Sequence, residues 1–182
     1  SVLDTAKAVS ALMTNGGAAL DYLEIVGGGR TIASAPSPLL AIPTTAGTGS
    51  EATKNAVLLE PRARLKVSMR SPLLLPAAAL VDSELTHSLP ASLTASTGLD
   101  ALTQLLEAAI TPRASAMTDL FALDGIARSA RSLARALRDP EDAAARDDLA
   151  LASLYGGIVL ANAGLGAVHG IAAPLGGRHP VP

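Results

Sequence analysis

At 182 residues the chain is long enough for one large domain or two small ones with a sizeable core. Its hydrophobic content of 49% includes one Phe, two Tyr and no Trp, so that core must be aliphatic. A net charge of −2 leaves no basic surface calling for nucleic acid, the lack of Cys excludes disulfides and thiolate metal sites, and the apolar stretch Leu73 to Val81, cut by Pro76, is too short to span a membrane. Residues 2–14 carry Leu3, Ala6, Val9 and Met13 at helical spacing, and Asn15-Gly16-Gly17 supplies a stop. A short helix is expected around 18–24, ahead of Gly27-Gly28-Gly29. Strands are expected at 38–42, 55–59, 65–69 and 77–82, separated by Pro61, Pro72 and Pro76.

Between the first two of these strands lies Ile42-Pro43-Thr44-Thr45-Ala46-Gly47-Thr48-Gly49-Ser50-Glu51-Ala52-Thr53. Five hydroxyl side chains and two glycines directly after an apolar run make a loop whose N–H and O–H groups can meet phosphate oxygens at close range. The same composition also suits a plain surface turn. After Leu89-Pro90 the pattern changes to Ala/Leu-rich helical segments at 91–110, 116–137, 141–162 and about 164–175, with breaks expected at Pro112, Pro140 and Pro174. An α/β part over 1–90 is therefore expected to give way to an all-α part over 91–182.

Within the first helical segment, Asp100 and Gln104 stand four apart and share a face, with Glu107 close to the same stripe. An ordinary amphipathic helix with its polar side in water has the same pattern. Further on, His169 stands alone in the stretch Gly164 to Gly177 among Gly, Ala and aliphatic residues. Such a residue is either a metal ligand or a satisfied core histidine.

Taken in order, these blocks resemble the iron-containing (group III) alcohol dehydrogenase family. Ser1 to Lys7 is similar to the end of its GGGS-x-x-D-x-A-K phosphate loop and helix, and Ala41 to Thr53 to its A-I-P-T-T-x-G-T-G-S-E-x-T loop. Ala79 to Thr86 is similar to V-D-P-x-L-T, Gly98 to Glu107 to G-x-D-A-L-T-H-x-x-E, and Val168-His169-Gly170 to V-H-G. The resemblance implies an α/β N-terminal part, an incomplete nucleotide-binding domain, followed by an all-α domain: the dehydroquinate synthase-like, group III alcohol dehydrogenase architecture. It implies an NAD(P)-dependent, metal-assisted oxidoreductase interconverting an alcohol and an aldehyde or ketone. Cofactor contacts would fall on Ser1, Asp4, Thr44, Thr45, Gly47, Thr48, Ser50, Asn55 and Lys66, with NAD or NADP as the cofactor. Fe²⁺ or Zn²⁺ would be held by Asp100 and His169, with Gln104 a weak ligand at the position of the usual His. The implied partner is a small alcohol or carbonyl compound, with neither nucleic acid nor membrane, a homodimer of the full-length protein, and a cytoplasmic location.

Three departures accompany the likeness. Gln104 replaces a histidine, Ala173 stands where the family often has a further His, and the last ligand position would fall beyond Pro182, with His179 out of register. The family's glycines would likewise precede Ser1, so the chain is expected to be the middle part of a longer protein and to be inactive in isolation. Two other readings follow: a metal-independent reductase similar to maleylacetate reductases, which Gln104 and Ala173 favour, and a truncated, non-catalytic chain.

Overall fold

The computed structural model of the chain describes residues 1–179. Helix α1 (Val2–Asn15) opens with a capping box, in which the Ser1 hydroxyl accepts from the Asp4 N–H at 3.3 Å while the Asp4 side chain reaches back to the cap. Its Ala8 and Ala11 pack with Tyr22 of the one-turn helix α2 (Ala19–Tyr22), Leu23 and Ile32. Strand β1 (Leu40–Ala41) follows, then β2 (Asn55–Glu60), β3 (Leu65–Arg70) and β4 (Ala78–Ala79). β2 and β3 form an antiparallel hairpin with Asn55 opposite Arg70 and Glu60 opposite Leu65. Ala56, Val67 and Met69 turn from the hairpin into the core beneath α1.

The strands expected at 38–42 and 77–82 shrink to two residues each, paired in parallel as Leu40 with Ala78 and Ala41 with Ala79. Each has one hydrogen-bonded neighbour among the described residues, and Leu40 and Leu80 are more than half exposed. With one edge unpaired, little ladder holds the flanking residues extended.

Lys7 is buried in α1. Its Nζ donates to the Thr53 carbonyl and hydroxyl, both at 2.8 Å, and to the Asn55 carbonyl at 3.2 Å. Burial brings its pKa down to about 8, although Asp4 and Glu51 work to raise it. The three acceptors tie α1 to the start of β2.

The second half is helical: α3 (Ala91–Ile110), α4 (Ala116–Arg138), α5 (Ala143–Ala163) and α6 (Ala167–Arg178). Helices α3, α4 and α5 form a bundle around Leu105, Ala108, Ala122, Ala152, Val159 and Ala163. Small residues bring the helices close, as at Gly125, where a Cβ would lie 2.8 Å from Leu105 Cδ1. The expected break at Pro174 is corrected, because Pro174 lies inside α6. Proline removes one i→i−4 bond and crowds the carbonyl four residues earlier, that of Gly170. The far end of α6 is held on the hairpin, with Gly176 against Lys66 and Gly177 against the Arg64 carbonyl.

Among the described residues no single helix is long and apolar enough to cross a membrane; α5 and α6 combine that length and composition only as a pair bent by 106°.

Asp148 fastens α4 to α5. Its carboxylate accepts from Arg131 at 2.6 and 2.7 Å, Arg128 at 2.8 Å and the Ser132 hydroxyl at 2.6 Å. The Arg131 bonds foremost, working against burial and helped by Ser132 and Arg128, bring its pKa down to about 2. A carboxyl depressed in the folded state stabilises above its unfolded pKa of about 3.9 and loses that contribution as pH falls toward the folded value. A shift of this size corresponds to about 2 kcal/mol at most, since the half-exposed Arg131 is screened by water. Asp148→Asn should therefore lower the urea midpoint at pH 7 and remove a stability loss that the unmodified chain shows between about pH 4 and pH 2. Parallel acid titrations of the two proteins, followed by circular dichroism, check this, and the same acid loss in both would overturn the assignment.

Candidate functional site

The loop after β1 presents two different faces. Ala46, Gly47, Gly49 and Ser50 are buried, whereas the side chains of Thr44, Thr45 and Thr48 are exposed. Ala46 joins a cluster with Ala136, Ala145 and Leu149 of the helical bundle, and Gly47 rests on Thr97 of α3. Gly49 takes the left-handed conformation (φ 59°) and presses backbone to backbone on Gly157 of α5. The Ser50 hydroxyl donates to Asp4 Oδ1 at 2.9 Å. Glu51 is buried beside this network, and burial raises its carboxyl pKa, opposed by its own backbone N–H and by Lys7.

Of the residues expected to meet a cofactor, Thr44, Thr45 and Thr48 thus have exposed side chains. Gly47 and Ser50 are engaged in packing, and Ser1 and Asp4 in capping α1 and holding Ser50. Asn55 begins β2, and its carbonyl receives Lys7. Lys66 is exposed on β3 with Nζ beside Gly176 near the end of α6.

Helix α3 sends two adjacent stripes to two different neighbours. Thr97 and Gln104 face the loop. The Gln104 amide is buried, packs on Gly156 of α5 and donates to the Thr48 carbonyl at 3.3 Å. Ser96, Leu99, Asp100 and Thr103 face α6 and, with Val168, His169 and Ala172, line a cavity of about 200 Å³. Glu107 lies at the end of this second stripe. At about 100° per residue, a step of four turns about 40° away from the starting direction, while a step of seven falls short by about 20°. Glu107 therefore lines up with Asp100 better than Gln104 does. The sequence reading puts Glu107 close to the stripe but gives it no role; the seven-residue step from Asp100 is the signal that could have found it.

His169 sits near the start of α6, between two carboxylates. Its Nδ1 meets Glu107 Oε2 in a short hydrogen bond, and its Nε2 faces Asp100 Oδ1 at 3.4 Å. The other Glu107 oxygen accepts from the Val168 N–H at 2.7 Å. Burial pushes the Glu107 pKa up, but hydrogen bonds from His169, Val168 and Gly166 outweigh it and bring it down. The His169 pKa is raised by its contact with Asp100 first, against burial, and further by Glu107.

With Nδ1–H given to Glu107, the neutral ring points an Nε2 lone pair at a carboxylate oxygen. Two acceptors face one another stably only with a proton or a cation between them. The 3.4 Å gap is longer than an ordinary N–H···O bond of about 2.9 Å. Two donors each about 2.1 Å from a tetrahedral cation stand about 3.4 Å apart. The pair therefore fits two positions on a divalent metal. Gln104 is directed elsewhere, and among the described residues no group of three or more His, Asp, Glu or Cys side chains is placed to hold a metal.

Comparison with known proteins covers both halves of the chain. The pattern of iron-containing alcohol dehydrogenases matches residues 1–83, and that of the C-terminal part of the Fe-containing alcohol dehydrogenase family matches 94–182. The chain is 41% identical to a 4-hydroxybutyrate dehydrogenase of Cupriavidus necator, over 97% of its own length and 46% of that protein's. Its fold superposes on a crystal structure of 1,3-propanediol oxidoreductase with a TM-score of 0.92 and 37% identity, covering 100% of this chain and 47% of the other. Sulfoacetaldehyde reductase from Bifidobacterium kashiwanohense, solved in complex with NAD⁺, gives 0.91 and 30% identity, covering 99% and 47%. The chain spans about half the length of the curated relatives it matches. Two consecutive family patterns and a shared fold, running through both the α/β and the helical part, make this chain a member of the iron-containing alcohol dehydrogenase family.

Proposed function

We propose that the chain forms the cleft of an NAD(P)-dependent, metal-assisted oxidoreductase that interconverts a small alcohol and its aldehyde or ketone. The carrying observation is the His169–Asp100 pair, two donor atoms 3.4 Å apart at the wall of a small cavity, with the other imidazole nitrogen already committed to Glu107. Asp100 and His169 would hold the divalent cation, which when bound supplies Lewis-acid polarisation of the substrate oxygen. Leu99, Val168 and Ala172 give the cavity apolar wall for a short carbon chain, while Ser96 and Thr103 offer hydroxyls to orient it.

Thr44, Thr45 and Thr48 would meet the cofactor from the opposite side, their hydroxyls exposed on a loop whose backbone is fixed against α3 and α5. Residues 1–90 and 91–182 are then parts of two domains, and the loop is the place where they meet. The NAD⁺ complex of the sulfoacetaldehyde reductase supports a nicotinamide cofactor for this reading. Hydrogen bonds from hydroxyls to a charged phosphate are worth about 1.5–3 kcal/mol each. Thr48→Val in the whole protein should accordingly raise the cofactor dissociation constant about tenfold or more. An unchanged constant by fluorescence titration with NAD⁺ and NADP⁺ would take the loop out of the cofactor site.

Gln104 favours a second reading. Because its amide serves the Thr48 carbonyl, Asp100 and His169 are the two strong ligands among the described residues, where a catalytic zinc site ordinarily takes three. In a metal-independent reductase, His169, held between two carboxylates with a raised pKa, would give its Nε2 proton to the substrate oxygen. Elemental analysis of the whole protein separates the two: about one metal per chain supports the first, and turnover without metal the second.

A further inference from the structure

We propose that Glu107 is a positioning residue that fixes the tautomer and orientation of His169 while capping the helix that carries it. The inference rests on the metal-assisted reading only for its consequence, a metal affinity. Its structural content stands on hydrogen bonds between α3 and α6.

Helix α6 has no cap of its own, because its N-cap is Gly166, which has no side chain. Glu107, buried to 5% exposure on the neighbouring α3, reaches across and accepts from the Val168 N–H at 2.7 Å with Oε1. Gly166 allows this approach, since a Cβ there would stand 2.9 Å from Glu107 Oε1. A carboxylate at a helix N-terminus also complements the helix dipole. The same carboxylate accepts from His169 Nδ1 with Oε2. One buried side chain thus sets where α6 begins, which way the imidazole faces and which nitrogen carries hydrogen.

That choice has a chemical consequence. With hydrogen on Nδ1, the Nε2 lone pair is the one presented to Asp100 and the cavity. In the opposite tautomer Nε2–H would point there instead, donate to Asp100 and leave no lone pair for a cation. A carboxylate behind a ligating imidazole also increases its basicity, and loss of such a partner typically costs about 10–100-fold in metal affinity. Glutamine cannot substitute, because its single oxygen can accept from Val168 or His169 but not from both at full strength, and its NH₂ meets a second donor.

The experiment uses the full chain with ¹⁵N-labelled histidine. Long-range ¹H–¹⁵N spectra are recorded over rising pH until the ring signals reach their neutral plateau, and again with Zn²⁺ added, and the His169 signals are identified by their loss in His169→Ala. The expected result is His169 as the Nδ1–H tautomer in the unmodified chain. Glu107→Gln should show the Nε2–H tautomer gaining population and Zn²⁺ affinity falling about 10–100-fold by calorimetry. An Nε2–H tautomer in the unmodified chain would overturn the proposal with no variant needed. So would a folded Glu107→Gln, checked by circular dichroism, with tautomer and affinity unchanged. If the tautomer is locked as expected while Asp100→Ala leaves Zn²⁺ binding intact, the role of Glu107 stands and the metal reading of the site falls.

Discussion

Alanine at Gly157 is expected to destabilise the chain by about 3 kcal/mol or more, because the clash is backbone on backbone. A Cβ on Gly157 would lie 2.2 Å from the Gly49 carbonyl oxygen and 2.9 Å from its carbon, and no flexible side chain can yield. Moving the loop is the remaining relief. It would strain Gly49, already at a positive φ, lift Ala46 from its cluster and stretch the Gln104 bond to Thr48. Gly170→Ala serves as the control: it too lies inside a helix, nothing stands within 4 Å of the added atom, and alanine there should be neutral or stabilising by up to about 1 kcal/mol. Urea unfolding of the two variants decides the matter. Equal midpoints would mean that the loop and α5 are not in the close contact described.

Removing a primary donor should have the largest effect on the site. Asp100→Ala or His169→Ala should weaken divalent metal binding by about 100-fold or more, corresponding to about 2.7 kcal/mol, and lower turnover of the whole protein with it. Asp100 borders the cavity and is partly exposed, so its truncation should cost little stability, and a melting temperature within a few degrees of the parent would separate lost ligation from lost fold; His169→Ala also deprives the buried Glu107 carboxylate of a donor and should melt lower. Gln104→Ala should behave in the opposite way. It removes a buried amide bonded to the loop, so stability should fall while metal affinity changes little. A Gln104→Ala protein that loses metal affinity as severely as Asp100→Ala would show that the amide turns to the metal in solution.

Much of the fold was legible in the residues. Helix positions followed from apolar spacing and from the stops at Asn15-Gly16 and Pro112, because a helix buries one stripe and must be ended by residues that cannot continue it. The sequence also marked the loop 42–53, Asp100 and His169, since unusual residue types stand out against an Ala/Leu background. Pro174 misled because a helix can run on past a proline when its far end is held by tertiary packing, and here the end of α6 is held on β3. The outer parts of strands 38–42 and 77–82 were overestimated because extended structure depends on a neighbouring strand, which composition cannot reveal.

What only tertiary structure decided is the division of labour on α3. From sequence, Asp100, Gln104 and Glu107 are three polar residues on roughly one side of a helix. The fold places the loop against one stripe and α6 against the next, so the amide becomes a strut for Thr48 and the glutamate a partner for His169. A rotation of a few tens of degrees about the helix axis separates these roles. One-dimensional spacing fixes that rotation for each residue, but which neighbour waits at each angle is settled by how distant segments pack.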